Sequence, residues 1–478
     1  MQFFGTDGIR GEADWLQANN IPRMLGRAIA ALGKTPVPQH LREGIAAAKD
    51  SGEDTDNFTT SCANRPVKVA VARDVRLSSP QIEKQLLHGL LEHDAEVYCL
   101  GVLPTPALVS VSQTLGVDYS VMVTASHNPP SNNGLKVFES KGEKLSPEDE
   151  AILDSQLLCA PVGNAKGVIH TVANAEQIYI EHLIKTVNTD FSGVVVHLDC
   201  ANGCTAELAS KVFTRLNATV VADNNIRDGA VVNVGTGSTN MNYLTSRLNE
   251  GEIGFAFDGD GDRVLGAIFD SQNCGMLPNE LICDNTLQNL EPQVKILDGD
   301  YFLLSLAMLL QKEKLLSVPS VVATDLSNGK LSIELLSRGI TLERTNVGDK
   351  FVLDRMNQKN ITLGGERSGH IIAKCYSPTG DGILSALLLL KARKNGICPI
   401  FVPFPQYELN VKVKDRDTAL SNSDFLSALE RAKEKIGDEG RILIRKSGTE
   451  PLIRLMCESN FEDAKQILTN IGNILQKV

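Results

Sequence analysis

A chain of 478 residues exceeds one ordinary domain, and roughly two to four are expected. Its 42% hydrophobic and 22% charged residues are those of a globular protein, without a run of the ~18 apolar residues that spans a membrane. The net charge of −11 argues against general nucleic-acid or anionic-membrane binding, and an anionic substrate would need a local cluster of Arg and Lys.

The first residues, MQFFGTDGIRGEADW, lack the basic and apolar regions of a secretory signal, so a cytoplasmic protein is expected. From Gly33 to Asn64 the chain is polar and loop-like, an exposed insertion between the first helix and its strand. VKVAVARD (Val67 to Asp74) then reads as a strand, and SPQIEKQLLHGLLEHDA as a helix opened by Ser79 with Pro80 at its first position. AEVYCLGVLPTP is the next strand, PALVSVSQTLGV a helix, and DYSVMVTAS a strand. The same grammar returns in GVVVHLDCANGCTAELASKVFTRLNATVVAD and in SVVATDLSNGKLSIELLSRGITLERTNVGD. Strand and helix in alternation imply related α/β domains with parallel or mixed sheets. The ten cysteines stand singly, and Cys200 and Cys204 lack the spacing of zinc or thioredoxin-type sites, so reduced, buried thiols are expected.

The last stretch differs: ELNVKVKD, GRILIRKS and PLIRLMCES read as strands, with helices in SNSDFLSALERAKEKIG and FEDAKQILTNIGNILQKV. That order favours a smaller α+β domain, reached through a proline-rich hinge from Asn395 to Leu409. The expected domains are 1–174, 175–277, 278–395 and 396–478.

Four segments hold the chemistry. FDGDGDRV sets Asp258, Asp260 and Asp262 at alternate positions, and three such close carboxylates repel unless a hard cation or strong donors compensate. An EF-hand is excluded, because its glycine position is Arg263 and its final glutamate position is Phe269. An acidic turn without an ion is the plainer alternative. IRKSGTEPLIRL combines the hydroxyls of Ser447 and Thr449, the turn at Gly448, and Arg445, Lys446 and Arg454, a set suited to phosphate or merely to a solvated turn. GGERSGHI follows a strand and offers Glu366, Ser368 and His370 to sugar hydroxyls; a glycine-rich loop with a satisfied histidine fits equally.

VMVTASHNPPSNNGLKVF places Ser126 and His127 where an apolar run ends. A hydrolase elbow is excluded, since TASHN lacks the flanking glycines. In extended backbone the two side chains would point to opposite faces, spoiling a serine–base pair. A turn or cap serine is one reading; a phosphoryl-carrying serine, neutralised by a cation at the aspartate loop, is the other.

TASHNP, DGDGDR, GE-x-SGH and R-x-SGTEP, in this order, resemble the α-D-phosphohexomutase family over nearly the whole chain. FGTDGIRG, GGERSGH and TGDGI look most like its bacterial members acting on glucosamine phosphates. The resemblance implies an α/β architecture of three related domains plus a C-terminal α+β domain. It implies a phosphoserine at Ser126 and one Mg²⁺ per chain held by that phosphate with Asp258, Asp260 and Asp262. Arg10 and Arg263 would stabilise charge nearby, and His127 and Lys136 would serve acid–base or transfer roles. Glu366, Ser368 and His370 would hold the sugar, and Arg445, Ser447, Gly448, Thr449 and Arg454 the phosphate not in transfer. The expected partner is a small sugar phosphate, turned over through glucosamine 1,6-bisphosphate; a mannose or glucose phosphate and a non-catalytic binder are the alternatives. A homodimer is compatible with all of these. Two departures stand out: the long insertion, and VARDVRLSS, with Ala72 and Val75 where the family more often reads G-R-D-T-R.

Overall fold

The computed structural model describes residues 3–5, 7–32, 65–160, 162–163, 166–270, 293–437, 440–446, 452–461 and 463–477. The Gly33 to Asn64 insertion and Ser447, Gly448 and Thr449 lie outside the described residues.

The first domain contains β1 (Ile9–Glu12), α1 (Ala13–Ala18), α2 (Ile21–Leu32), β2 (Lys68–Arg73), α3 (Ser79–Leu91), β3 (Glu96–Val102), α4 (Thr105–Leu115), β4 (Tyr119–Val123), β5 (Asn132–Glu139), α5 (Pro147–Leu157) and β6 (Val168–Thr171). Its strands run in the order β1-β5-β4-β2-β3-β6. The pairs among β4, β2, β3 and β6 are parallel, and those of β5 with β4 and β1 are antiparallel. Ser78, not Ser79, takes the cap position of α3, and Pro80 falls in its first turn as the sequence predicts.

The second domain follows with α6 (Ala175–Val187), β7 (Val195–Asp199), α7 (Leu208–Arg215), β8 (Thr219–Asp223), α8 (Asn242–Thr245), β9 (Ile253–Phe257), β10 (Val264–Asp270) and β11 (Gln293–Leu297). Strand β11 completes the sheet order β11-β10-β9-β7-β8, so the sheet runs past the expected boundary at residues 277 and 278. The cause is an antiparallel pairing of Gly266 to Asp270 with Gln293 to Leu297, a contact that composition does not announce.

The third domain comprises α9 (Gly299–Lys312), β12 (Ser320–Thr324), α10 (Gly329–Leu336), β13 (Thr341–Thr345), α11 (Asp349–Lys359), β14 (Leu363–Gly365), β15 (Ile371–Ala373) and α12 (Gly382–Lys394), with sheet order β13-β12-β14-β15. Asp298 and Asp381 cap α9 and α12 by accepting from Tyr301 N–H and Leu384 N–H. Both helices are apolar nearly all round and buried, as helices enclosed between layers must be.

The last domain has β16 (Gln406–Lys412), α13 (Arg416–Leu420), α14 (Ser423–Ile436), β17 (Gly440–Lys446), β18 (Leu452–Ser459) and α15 (Ala464–Leu475), in an antiparallel sheet β16-β18-β17. One apolar core runs through the first three domains, from Ala70 through Phe255 to Leu390, whereas the last domain has a separate core around Val411, Phe425 and Leu468.

The expectation of uniformly buried thiols needs correction. Cys200, Cys204 and Cys457 are buried and unpaired, but Cys159 and Cys375 are exposed.

Candidate active site

Strand β4 runs out into the loop holding Ser126, and β5 returns antiparallel to it, which sets Lys136 opposite Met122. The Ser126 hydroxyl is buried and donates to Asp258 Oδ2 at 2.6 Å. Its backbone is left-handed, with φ of 51°, so the extended geometry expected for this pair does not hold. The turn swings His127 round until its Nδ1 lies 3.3 Å from Ser126 Oγ. Burial, aided by Arg263 and Arg10, pushes the His127 imidazole down to about 4, so it is neutral near pH 7.

Asp258, Asp260 and Asp262 occupy the tight loop between β9 and β10, and all three are buried. One oxygen from each lies within 4.8 Å of the others. Glycine is required in this loop: a Cβ on Gly259 would sit 2.9 Å from the Ser126 carbonyl oxygen. Lys136 Nζ donates to Asp260 Oδ2 at 2.9 Å and Asp262 Oδ2 at 2.6 Å. Burial alone would lower the Lys136 pKa, but Asp260, Asp262 and Asp7 outweigh it and hold the ammonium charged. Lys136 does not hydrogen-bond Asp258; burial and the charges of Asp262 and Asp260 outweigh the opposing pull of Arg263 and push its carboxyl upward.

The donor set fits a hard divalent cation. Asp260 Oδ1 and Asp262 Oδ1 are buried and accept no hydrogen bond, although their Oδ2 atoms are engaged by Lys136. Arg10 Nε and Arg263 Nε are likewise buried without an acceptor, which suits an anion beside that cation.

The third domain closes on the same point. Arg263 and His370 form a backbone bridge, and His370 Nδ1 lies 3.8 Å from Asp262 Oδ2. Asp349 approaches its Nε2 at 3.5 Å. Burial opposes charge on this imidazole, but Asp349 and Asp262 raise its pKa overall. Glu366 Oε1 accepts from Gly348 N–H at 3.0 Å, and the exposed Ser368 hydroxyl is 3.5 Å from its Oε2.

Ser126, His127, Lys136, the three aspartates, Arg10, Arg263 and the Glu366 to His370 loop therefore share one locality. Arg445 and Arg454 sit on another sheet, directly opposite each other on β17 and β18. Sequence reasoning passed over Asp7, which contacts Arg10 and Lys144, although it lies within FGTDGIRG. It also passed over Lys144, Asp349, Asn233 and the Asp74–Arg76 pair; only the last had a signal, in VARDVR.

Four sheets in a three-plus-one arrangement, with a buried serine against an acidic loop, define the phosphohexomutase class. Phosphoglucomutase/phosphomannomutase alpha/beta/alpha domains I, II and III match residues 57–158, 177–270 and 298–396, and the C-terminal domain matches 408–468. The chain belongs to the phosphoglucomutase/phosphomannomutase family. The phosphoglucosamine mutase of Anoxybacillus flavithermus is 35% identical over 472 residues, 96% of this chain and 94% of that one. That of Clostridioides difficile is 32% identical over 493 residues, covering 100% and 99%. Among solved structures, a phosphoglucomutase/phosphomannomutase family protein from Burkholderia thailandensis superimposes with TM-score 0.71 at 22% identity, covering 99% and 96%. Aspergillus fumigatus N-acetylphosphoglucosamine mutase, in complex with GlcNAc-6P and magnesium, gives 0.59 at 17% identity over 78% and 92%.

Proposed function

We propose that this protein interconverts glucosamine 6-phosphate and glucosamine 1-phosphate, feeding UDP-N-acetylglucosamine and cell-wall synthesis in the cytoplasm. The observation that carries the reading is the buried Ser126 hydroxyl, 2.6 Å from Asp258 Oδ2 in an aspartate cluster where Asp260 Oδ1 and Asp262 Oδ1 are buried without a hydrogen-bond partner. The full-length relatives called phosphoglucosamine mutase support the choice of sugar. Among the described residues no helix is long and apolar enough to cross a membrane.

Phospho-Ser126 gives its phosphoryl group to the free hydroxyl of the bound sugar phosphate, forming glucosamine 1,6-bisphosphate. The new P–O bond forms as the Ser126 Oγ–P bond breaks, and the proton lost by the sugar hydroxyl ends on Ser126 Oγ, restoring the serine hydroxyl. The return transfer moves a proton the opposite way. The bisphosphate turns over, and its other phosphoryl group returns to Ser126 Oγ. Asp258, Asp260 and Asp262 would hold Mg²⁺, which would supply positive charge against a phosphate. Arg10 and Arg263 direct guanidinium charge at the transferring group. Lys136, held charged by its aspartates, acts as a cation or proton donor and not as a resting base. Neutral His127 and Asp258 are the groups beside Ser126 Oγ able to take a proton. Glu366, Ser368 and His370 hold the sugar hydroxyls. Arg445, Ser447, Gly448, Thr449 and Arg454 hold the phosphate not in transfer, and the latter's separate domain accommodates both orientations of the bisphosphate.

The test is turnover of purified protein on glucosamine, mannose and glucose phosphates, together with intact mass. Preferred turnover of the glucosamine pair and a gain of about 80 Da on Ser126 are expected. Ser126→Ala should remove both while leaving the folded state intact. Faster turnover of the mannose or glucose phosphate would replace the sugar in this reading, and binding without turnover would leave a non-catalytic sugar-phosphate protein.

A further inference from the structure

The left-handed backbone at Ser126 is one that serine seldom adopts, so something must impose it. Arg76 is fully buried beneath the loop, and its guanidinium reaches four carbonyl oxygens there. Nη2 donates to Ser126 O and Asn128 O, both at 2.8 Å; Nη1 donates to Asn132 O at 3.0 Å and to Pro129 O. Its Nε donates to Asp74 Oδ2 at 2.8 Å, so the fork is locked from behind. Asp74 Oδ2 also accepts from Thr124 Oγ1 at 2.8 Å, and Thr124 Oγ1 in turn accepts the Ser126 N–H at 2.9 Å. The second domain grips the same oxygens: Asn233 Nδ2 donates to Ser126 O at 2.9 Å and to Asn128 O at 3.3 Å.

We infer that Arg76 and Asn233 are positioning residues for phosphoryl transfer, a two-domain clamp that holds Ser126 in its left-handed turn and aims Oγ at the aspartate loop. In the contacts that build the clamp, both residues address the backbone oxygens of the loop and not the reacting hydroxyl. The carbonyl of Ser126 receives a donor from each domain, which fixes the serine relative to Asp258 as well as to its own sheet. Transfer in both directions needs an in-line approach to a single Oγ position, and misplacement by about 1 Å is enough to lose roughly 100-fold in rate.

This inference rests on the mutase reading, and full-length Asn233→Ala and Arg76→Lys test it. The lysine keeps the charge but cannot span four carbonyls. Both variants are expected to lose about 10- to 100-fold in kcat, with KM within about twofold of the parent. Asn233→Ala should keep the parent's melting temperature and decides the matter alone if Arg76→Lys does not fold. Unchanged kcat in Asn233→Ala, or a loss shared with KM and melting temperature, overturns the clamp. A parent protein inactive on every hexose phosphate brings down the mutase reading and the clamp together. An active parent matched by its variants brings down the clamp alone.

Discussion

Asp381 places a carboxyl in a fully enclosed position, where it caps α12 and accepts the Tyr179 hydroxyl at 2.8 Å. Burial outweighs these hydrogen bonds and pushes its pKa up from 3.8 to about 6. The ionised form is thus disfavoured in the fold: folding is opposed above pH 6, and the penalty is relieved as pH falls toward 4. Asp381→Asn keeps an acceptor for Leu384 N–H and removes the charge. It should stabilise the protein by about 2–3 kcal/mol at pH 8, with the gain vanishing near pH 4, as read by urea midpoints at both values. A variant less stable than the parent at pH 8 would contradict this account. At this scale the sequence singled out the three aspartates by residue type and spacing and Lys136 by the family resemblance, and the fold brings them together around Ser126. The sequence did not disclose the Ser126–His127 contact, because the φ that creates it is imposed by Arg76 and Asn233, 50 and 107 positions away in the chain.

Helices α2 and α3 pack backbone to backbone through a pair of glycines. A Cβ on Gly89 would stand 2.0 Å from the Arg23 carbonyl oxygen, and one on Gly26 2.3 Å from that of Leu86. Arg23 and Arg27 of α2 both reach Glu92 just beyond α3, closing the seam with charge. Gly89→Ala should therefore destabilise the first domain by about 1–3 kcal/mol, despite alanine's better helix propensity. A thermal shift upward in that variant would refute the close approach. Helix α3 was legible from its serine and proline, and a helix was expected ahead of the Gly33 to Asn64 insertion. Their distance of approach was not, since a glycine inside a helix reads only as a weak position until its neighbour is known. Strand β11 was hidden for a related reason: Gln293 to Leu297 is a short edge strand whose identity comes from pairing with β10.

The three-plus-one plan was readable because the last stretch breaks the strand–helix–strand grammar, but the sharing of one core by three domains was not. That sharing favours joint unfolding of the first three domains, although the first has a further core around Leu25, Leu86 and Val137, while the fourth keeps its own core and meets the third through polar contacts. Asn328 and Phe404 exchange two hydrogen bonds, each of 3.0 Å, and Gly329 N–H donates to Glu458 at 2.8 Å. Arg441 binds Glu458 at 2.7 Å and the carbonyls of Asp325 and Ser327 at 2.7 and 2.6 Å. Polar junctions of this kind exchange their partners for water at little net loss, so the fourth domain can swing about the Asn395 to Leu409 linker and carry Arg445 and Arg454 with it. Calorimetry should accordingly resolve a large transition for the first three domains and a smaller one for the fourth. Glu458→Gln removes the buried charge facing Arg441, and by the scale of broken buried pairs should weaken the junction by as much as about 3 kcal/mol. It should lower the smaller transition, leave the larger one in place, and raise KM for the sugar phosphate because the arginine pair is presented less often. A single transition that moves as a whole would mean that the fourth domain does not act as a separately hinged unit.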